Sequence, residues 1–236
     1  GQGGSAAGNV SINNIDNDTE AAIRNATITT TGNTAVLAKS EEHIKNYAGA
    51  LAATVGQGYV AGGASVAVNT ITGNTKASVN NATINAGNDA DISFAGKNSK
   101  GLVVAADSDH EIDNVVITAG IAATAEVGVA ASGTVAVNTI KGATTAEITN
   151  SNTNTSGTAG DVNVIADDST DINSAVGALA VGVGAGTAGV AAGASSDTNV
   201  LAREVMAQVV GDSTNKNTVN ADKLNVNAKS ANTVVT

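Results

Sequence analysis

A block of sequence that recurs four times along the chain constrains the fold more than any other feature. Residues 10–15 read Val-Ser-Ile-Asn-Asn-Ile, residues 66–71 and 135–140 both read Val-Ala-Val-Asn-Thr-Ile, and residues 196–201 form a looser copy. All copies share one asparagine, and its spacings are 56, 69 and 61 residues for Asn13, Asn69, Asn138 and Asn199. Self-similarity of this kind predicts stacked structural units that accept insertions in their loops.

Two further blocks support the same repeat. Alternating residues of a second block recur at 34–40, 92–99, 162–169 and 224–230. A third block links residues 23–28 with residues 79–84. Together they divide the chain into four degenerate repeats at approximately 5–58, 59–127, 128–188 and 189–236, which we interpret as one single elongated segment.

Alternation of apolar and polar residues within each repeat predicts half-buried strands that end at turns. Candidate turns are Gly32-Asn33, Gly73-Asn74, residues 87–89, 157–161 and 211–213. Residues 41–51 and 200–210 also fit short helices, a minor alternative. The segment at 176–194 is uncharged and rich in glycine, and we interpret it as a pair of strands rather than a membrane span.

The composition favours a solenoid with a narrow core. Only 1% of residues are aromatic, Trp and Pro are absent, and 42% are apolar, mainly the small side chains of Ala, Val and Ile. A compact globule usually fills its centre with larger side chains. The expected fold class is therefore all-β, a parallel β-helix or β-solenoid in which neighbouring units build a continuous core.

Charge and cysteine content restrict the partners. The formal net charge is −10, no basic cluster is present, and aromatic stacking platforms are lacking, so nucleic acid is not expected as a partner. The chain has no Cys, which removes disulfides and thiolate metal sites. The first four residues, Gly-Gln-Gly-Gly, do not resemble a signal peptide, and we expect the chain to be a fragment of a larger protein.

Several patterns suggest chemistry, but each has a simpler structural interpretation. Residues 184–189 match the dinucleotide pattern G-x-G-x-x-G without the helix that the motif needs, so no cofactor is expected. His43 and His110 are interpreted as parts of charged turns, and so are the acidic clusters at 88–91 and 167–171. The sequence therefore predicts no metal site, no catalytic residues and no enzyme activity.

The recurring asparagines are the only site residues that the repeat predicts, and their expected role is structural. A buried amide at a corner of the solenoid can satisfy backbone groups of the turn. Whether Asn13, Asn69, Asn138 and Asn199 stack directly depends on whether one repeat makes one coil or about three, and both alternatives stay open here.

The repeat blocks resemble those of large bacterial exoproteins of the filamentous-haemagglutinin and leukotoxin-like type. The blocks concerned are Val-Ala-Val-Asn-Thr-Ile, Asn-Ala-Thr-Ile at 25–28 and 81–84, and Asp-Val-Asn-Val-Ile-Ala at 161–166. This resemblance implies a right-handed β-helix with coils of about 20 residues, which would give a rod of about 55 Å. It also implies export by type V secretion, as an autotransporter or through a partner transporter, to the outer membrane and the cell surface.

The resulting functional hypothesis is a secreted or cell-surface adhesin passenger that extends a scaffold for cell adhesion, with a role in virulence. Its partner would be a receptor or glycan on a host or bacterial cell, and the chain itself would not span the membrane. One alternative is a self-assembling fibre subunit that associates end to end through open strand edges. A less favoured one is a β-helix carbohydrate-active enzyme.

Overall fold

The computed structural model describes residues 3–57, 59–154, 160–186 and 188–236, and these residues are all-β. Within the described ranges, no helix is long and apolar enough to cross a membrane. Long strands dominate because apolar–polar alternation continues for about 20 residues at a time, with short turns between them. The two segments that also fitted helices lie inside strands.

The strands fall into three parallel sheets and one hairpin. The first sheet contains β1 (Gly4–Asp16), β2 (Thr19–Arg24), β5 (Val60–Asn80), β10 (Val127–Thr149) and β13 (Ala188–Val210). The second, short sheet contains β3 (Thr27–Thr30), β6 (Thr83–Ala86), β11 (Asn152–Thr153) and β14 (Thr218–Val219). The third contains β4 (Thr34–Gly56), β9 (Leu102–Thr124), β12 (Val162–Gly184) and β15 (Leu224–Val235), and the hairpin is β7 (Ile92–Phe94) with β8 (Lys97–Ser99).

One repeat makes one coil of a parallel β-solenoid. Each coil runs along the first sheet, crosses the short sheet and returns along the third, and Asn13, Asn69, Asn138 and Asn199 occupy the same register position of the first sheet. The expected coil of about 20 residues is therefore wrong. Each turn of this solenoid is three times longer because its two sides are single strands of up to 23 residues.

The shape differs from the expected rod for the same reason. A strand of 23 residues runs about 75 Å at about 3.3 Å per residue, whereas four stacked coils are only about 15 Å deep at about 4.8 Å per step. The described part of the chain is a flattened, two-layered blade rather than a 55 Å rod.

For the second sequence block, the predicted match between repeats is wrong in the second coil. Residues 34–40 pair with residues 102–108, which in turn pair with residues 162–168. Residues 92–99, which the sequence pattern matches with residues 34–40, form the β7–β8 hairpin instead. This hairpin is an insertion in the second coil. The misalignment arose because the hairpin strands alternate in the same way as the true third-sheet strand that follows them.

The core consists of rows of similar side chains, one from each coil. Ile15, Ile71, Ile140 and Leu201 stack in the first sheet and face Ile44, Ile112 and Ile172 of the third. A larger cluster of Val, Ile, Leu and Ala fills the end next to the short sheet. Small residues at the opposite end, such as Ala61, Ala122 and Ala130, bring the two layers close together. Stacking like on like gives each coil the same cross-section as its neighbour.

Corners next to the short sheet use asparagine in the left-handed backbone region. Asn25, Asn81 and Asn150 have φ of 51°, 48° and 50°, a conformation that asparagine tolerates better than most residues. The predicted turns at 32–33, 87–89 and 211–213 lie in connections. Gly73-Asn74 lies within β5, so that turn prediction is wrong. Of the predicted turn at 157–161, residues 157–159 lie outside the described residues.

Candidate functional sites

The recurring asparagines form a continuous hydrogen-bonded ladder in the interior. Asn13 Nδ2 donates to Asn69 Oδ1, Asn69 Nδ2 to Asn138 Oδ1, and Asn138 Nδ2 to Asn199 Oδ1, each at 2.8 Å. Asn69 and Asn138 are fully buried. They lie in mid-strand and bond to one another, so the expectation that they sit at corners and serve turn backbone is wrong.

A second polar ladder faces the first from the third sheet. Asn46 Nδ2 donates to Asn114 Oδ1 at 2.7 Å, and Asn114 Nδ2 donates to Ser174 Oγ at 3.3 Å. Asn138 Nδ2 reaches Ser174 Oγ across the core at 3.1 Å. The two ladders therefore tie the layers together as well as the coils, and a shift in register would break both.

The most concentrated chemistry of the described residues is an ion pair inside the solenoid. The Arg203 guanidinium is 2.8 Å from Asp168, and both side chains are fully shielded from solvent. Arg203 also donates to Ser108 and Thr144, both at 2.9 Å, and to the Gly73 carbonyl at 3.0 Å. Nearly all of its donors are used, which a buried guanidinium requires.

Glycines create the space for this arginine. Gly73, Gly142 and Arg203 occupy one row of the first sheet, so the arginine of the fourth coil extends past two residues without side chains. A Cβ on Gly142, whose φ is +135°, would lie 2.7 Å from Arg203 Nη1 and overlap the Gly73 carbonyl. Gly73 therefore lies within a strand, where it leaves room for the side chain of Arg203, and it does not mark a turn.

The hydrogen bonds keep Asp168 ionised. Burial by itself raises the pKa of the Asp168 carboxyl, but hydrogen bonds from Ser108 and Arg203, together with the charge of Arg203, outweigh it and lower the pKa below 3.8. An ion pair that is buried and fully hydrogen-bonded is costly to break by removing one partner.

Glu42 and His110 form a second buried pair beside the first. Glu42 Oε2 lies 2.5 Å from His110 Nε2, and Asn17 Nδ2 donates to Glu42 Oε1 at 2.9 Å. Neither ring nitrogen of His110 makes a hydrogen bond of good geometry. Burial, and next the charge of Arg203, lower the pKa of His110 below 6.5 although Glu42 acts in the opposite direction.

The interpretation as charged turns is wrong for the two histidines and for the cluster at 167–171, whereas the cluster at 88–91 lies in an exposed connection as predicted. His110 and Asp168 lie in the middle of strands β9 and β12, with side chains directed into the core. His43 is in β4 and points outward, where its Nδ1 is 3.0 Å from Glu111 Oε2. The two histidines are one residue out of register, and in an alternating strand this places them on opposite faces.

Other candidate sites from the sequence are not assembled in the structure. Residues 184–189 run from the last residue of β12 into the start of β13, so a strand follows where a nucleotide motif needs a helix. Thr187 of this stretch lies outside the described residues. Among the described residues, no group of three or more His, Asp and Glu side chains is arranged to hold a metal ion.

The solvent-facing candidate is a polar cleft beside the β7–β8 hairpin. Ile92 and Phe94 of the hairpin pack on Leu37, Val103, Ala105 and Ile165 of the third sheet's outer face, and Lys97 pairs with Asp167. Between the anchored hairpin and the third and fourth coils lies a cleft of about 580 Å³, lined by Asn88, Asp91, Asn98, Ser99, Lys100, Asp161, Asn163, Asp222, Lys223 and Asn225.

Amides and carboxylates give the cleft both donors and acceptors. Some already bond to each other: Asn163 Nδ2 donates to the Lys100 carbonyl at 2.9 Å, and the Asp161 amide donates to Asn88 Oδ1 at 2.9 Å. The side chains of Asn98, Asp222 and Lys223 are exposed and make no hydrogen bond or ion pair with another described residue. These three are the groups that a ligand would meet first.

Fold and contacts define the chain as a parallel β-solenoid with a polar cleft on one side. Comparisons with models of protein families, with curated proteins and with solved structures find no match. The fold class predicted from the sequence is confirmed, and the function rests on the surfaces described above.

No local sequence pattern predicts the buried ion pairs. Arg203 and Asp168 belong to different coils, and their contact depends on Gly73 and Gly142, the two glycines in the row of Arg203. For the cleft, one usable signal was the extra length of the second repeat, since an insertion into a solenoid coil generally forms a surface loop.

Proposed function

We propose that this chain is an adhesin-type passenger segment of a secreted or surface-displayed protein. The supporting observation is the division between a stacked interior and one polar cleft. The ionisable groups of the Asp168 and Glu42 clusters are sealed in the core, where they hold coils together. The cleft beside the hairpin, in contrast, is open to solvent and lined by side chains suited to a polar ligand.

The ligand class that fits this cleft is a glycan. Sugar hydroxyls accept and donate hydrogen bonds, and four amides, three carboxylates and two ammonium groups line the cleft. A volume of about 580 Å³ lies within the usual range of small-ligand sites. The solenoid holds the hairpin in place, so little free energy is lost in ordering the cleft when a ligand binds.

Binding of the labelled chain to a glycan array and to host and bacterial cells tests this function. The triple variant Asn98→Ala/Asp222→Ala/Lys223→Ala removes exposed groups of the cleft, and we expect it to weaken binding at least about tenfold. The matched control, Glu204→Ala/Lys216→Ala/Lys229→Ala, alters three exposed residues outside the cleft lining and should bind normally. Absence of binding, or equal binding by both variants, would refute the proposal.

A fibre subunit is the second candidate, and the open coil edges favour it. β1 and β4 at one end, and β13 and β15 at the other, each pair with a strand on one side only. Unpaired edges can template the addition of another chain. Filaments of the purified chain in electron micrographs would support this candidate, whereas isolated particles of the size of one chain would argue against it. Turnover of a polysaccharide would overturn both proposals in favour of an enzyme.

A further inference from the structure

Charged residues, with the exception of Glu126, are confined to one half of the blade. The other half, which we call the uncharged half, comprises residues 4–15, 46–71, 114–140 and 172–196, next to the β4–β5, β9–β10 and β12–β13 turns. Glu126 is the only Asp, Glu, Lys or Arg in these ranges. It lies in the β9–β10 turn, where its Oε2 accepts a hydrogen bond from the Tyr59 hydroxyl at 3.1 Å.

The outer face of the third sheet in this half is apolar and exposed. Leu51 is 65% exposed, Ile117 58% and Leu179 56%, and Tyr47, Val55 and Val183 are exposed around them. In the charged half, the β7–β8 hairpin covers the apolar residues of the same sheet face. No described residue covers the uncharged half in this way, and exposed apolar patches of this kind usually mark an interaction surface.

Large and small side chains alternate over most of this face. Leu51, Ala119 and Leu179 form one row across the coils, and the row before it reads Gly49, Ile117, Gly177. The next two rows are Ala53, Ile121 and Val181, and then Val55, Ala123 and Val183. In the middle strand, Ile117 therefore lies between small residues, and Ala119 and Ala123 lie between large ones, whereas Ile121 has one small and one large neighbour.

We propose that a second copy of this chain packs face to face on the outer face of the β4-β9-β12 sheet. A two-fold axis that runs parallel to the stacking direction and passes the row of Gly120 places each coil opposite the same coil of the second copy. It also reverses the order of the rows along the strands. Ile117 then meets Ala123 of the second copy and Ile121 meets Ala119. Gly49 and Gly177 receive Val55 and Val183. Five of the six contacts between these rows set a large side chain against a small one, and only Leu179 meets another large residue, Val181. The surface is self-complementary to that extent, as a two-fold interface requires.

The area is that of a weak, reversible dimer. With the row of Tyr47 included, five rows across three strands cover about 30 Å by about 15 Å, so two copies bury about 900 Å², in the range of transient interfaces. The partner face must also be uncharged, because charged side chains buried against this face would lose their hydration and find no oppositely charged group. The same face on a second copy meets this condition.

A lipid bilayer is a less suitable occupant. The first and last coils present unpaired strand edges in this half, and unpaired backbone groups are too costly in hydrocarbon. The outer face of the first sheet also exposes large apolar side chains, but Val10, Val66 and Val135 stand side by side in one row. The row before it holds only the small residues Ala64, Gly133 and Ala194, so these two rows lack the alternation of large and small residues across the coils.

Sedimentation of the purified chain over a concentration series tests the proposal. We expect a dimer with a dissociation constant on the order of micromolar. Ile117→Lys places a charge at the centre of the face and should raise that constant at least about tenfold. Val66→Lys, an exposed valine on the outer face of the opposite sheet, is the control and should dimerise normally. Circular dichroism verifies that both variants keep the fold.

Three results would overturn the inference. The first is a chain that stays monomeric at about 100 µM, well above the expected dissociation constant. The second is equal weakening by Ile117→Lys and Val66→Lys, which would indicate non-specific association. The third is flotation of the chain with neutral phosphatidylcholine vesicles that Ile117→Lys abolishes, which would assign the face to a membrane.

Discussion

Replacing Asn69 by alanine is the sharpest perturbation of the interior, because Asn69 is fully buried and bonded on both sides. Its Nδ2 donates to Asn138 and its Oδ1 accepts from Asn13, both at 2.8 Å. The substitution removes both bonds and leaves Asn138 Oδ1 without this donor in the core. The backbone strand and its pairing stay in place, so the ladder alone is changed.

The magnitude follows from the two lost bonds and the orphaned group. The lost bond to Asn13 contributes about 1 kcal/mol net, and the loss of the bond to Asn138, which leaves Asn138 Oδ1 unsatisfied in the core, costs about 1–3 kcal/mol. We therefore expect Asn69→Ala to lower the free energy of unfolding by about 2–4 kcal/mol. In a chain of this size that corresponds to about 4–16 °C in Tm.

Asn13→Ala provides the matched control. Asn13 lies in the edge coil, is partly solvent-exposed and bonds to only one ladder neighbour. Water can replace what it loses, so the expected cost is about 1–2 kcal/mol. Urea denaturation followed by far-UV circular dichroism measures both. A change below about 0.5 kcal/mol for Asn69→Ala, or an equal change for the two variants, would refute the ladder as a stabilising element.

Three further predictions concern the buried ion pairs. The folded state lowers the pKa of His110 below 6.5, so the buried neutral His110 makes its full contribution to the free energy of unfolding above about pH 6.5. Below that pH the free energy of unfolding falls by up to about 1.4 kcal/mol per pH unit. His110→Gln should remove this slope in denaturation at pH 5–7 and His43→Gln should keep it, so a slope that survives His110→Gln contradicts the assignment. Arg203→Leu leaves Asp168 charged and unpaired in the core and should cost about 3–5 kcal/mol; a loss below about 1 kcal/mol would mean that the pair is solvated. Gly142→Ala should lower Tm because its Cβ would overlap the Gly73 carbonyl, whereas Gly133→Ala, with open space at that position, should leave Tm nearly unchanged.

The repeat register was predictable from the sequence because the stacked rows use similar residues. The asparagine row and the isoleucine row next to it carry the alignment through four coils. Parallel in-register stacking requires each coil to match the cross-section of its neighbours, and this requirement leaves a repeat that can be read directly.

Coil length and the interior charges were not predictable in the same way. Alternation shows that residues 34–56 form extended chain, but it does not show whether that chain is one strand or several joined by turns. The acidic run at 167–171 looks solvated in sequence, and Asp168 is buried only because Arg203 reaches it through a row of glycines. Such contacts depend on three coils at once, so no local pattern reveals them.

Pairs of introduced cysteines test the central claim, that one repeat makes one coil, most directly. Val66 and Val135 are register partners on neighbouring strands and both are exposed, so their Cα atoms lie within disulfide range. The chain has no cysteine of its own. Val66→Cys/Val135→Cys should form an intramolecular disulfide under mild oxidation, detected by gel mobility and mass spectrometry. Val66→Cys/Val129→Cys, about 20 Å out of register, should not. A disulfide in the second pair, or none in the first, would contradict the coil.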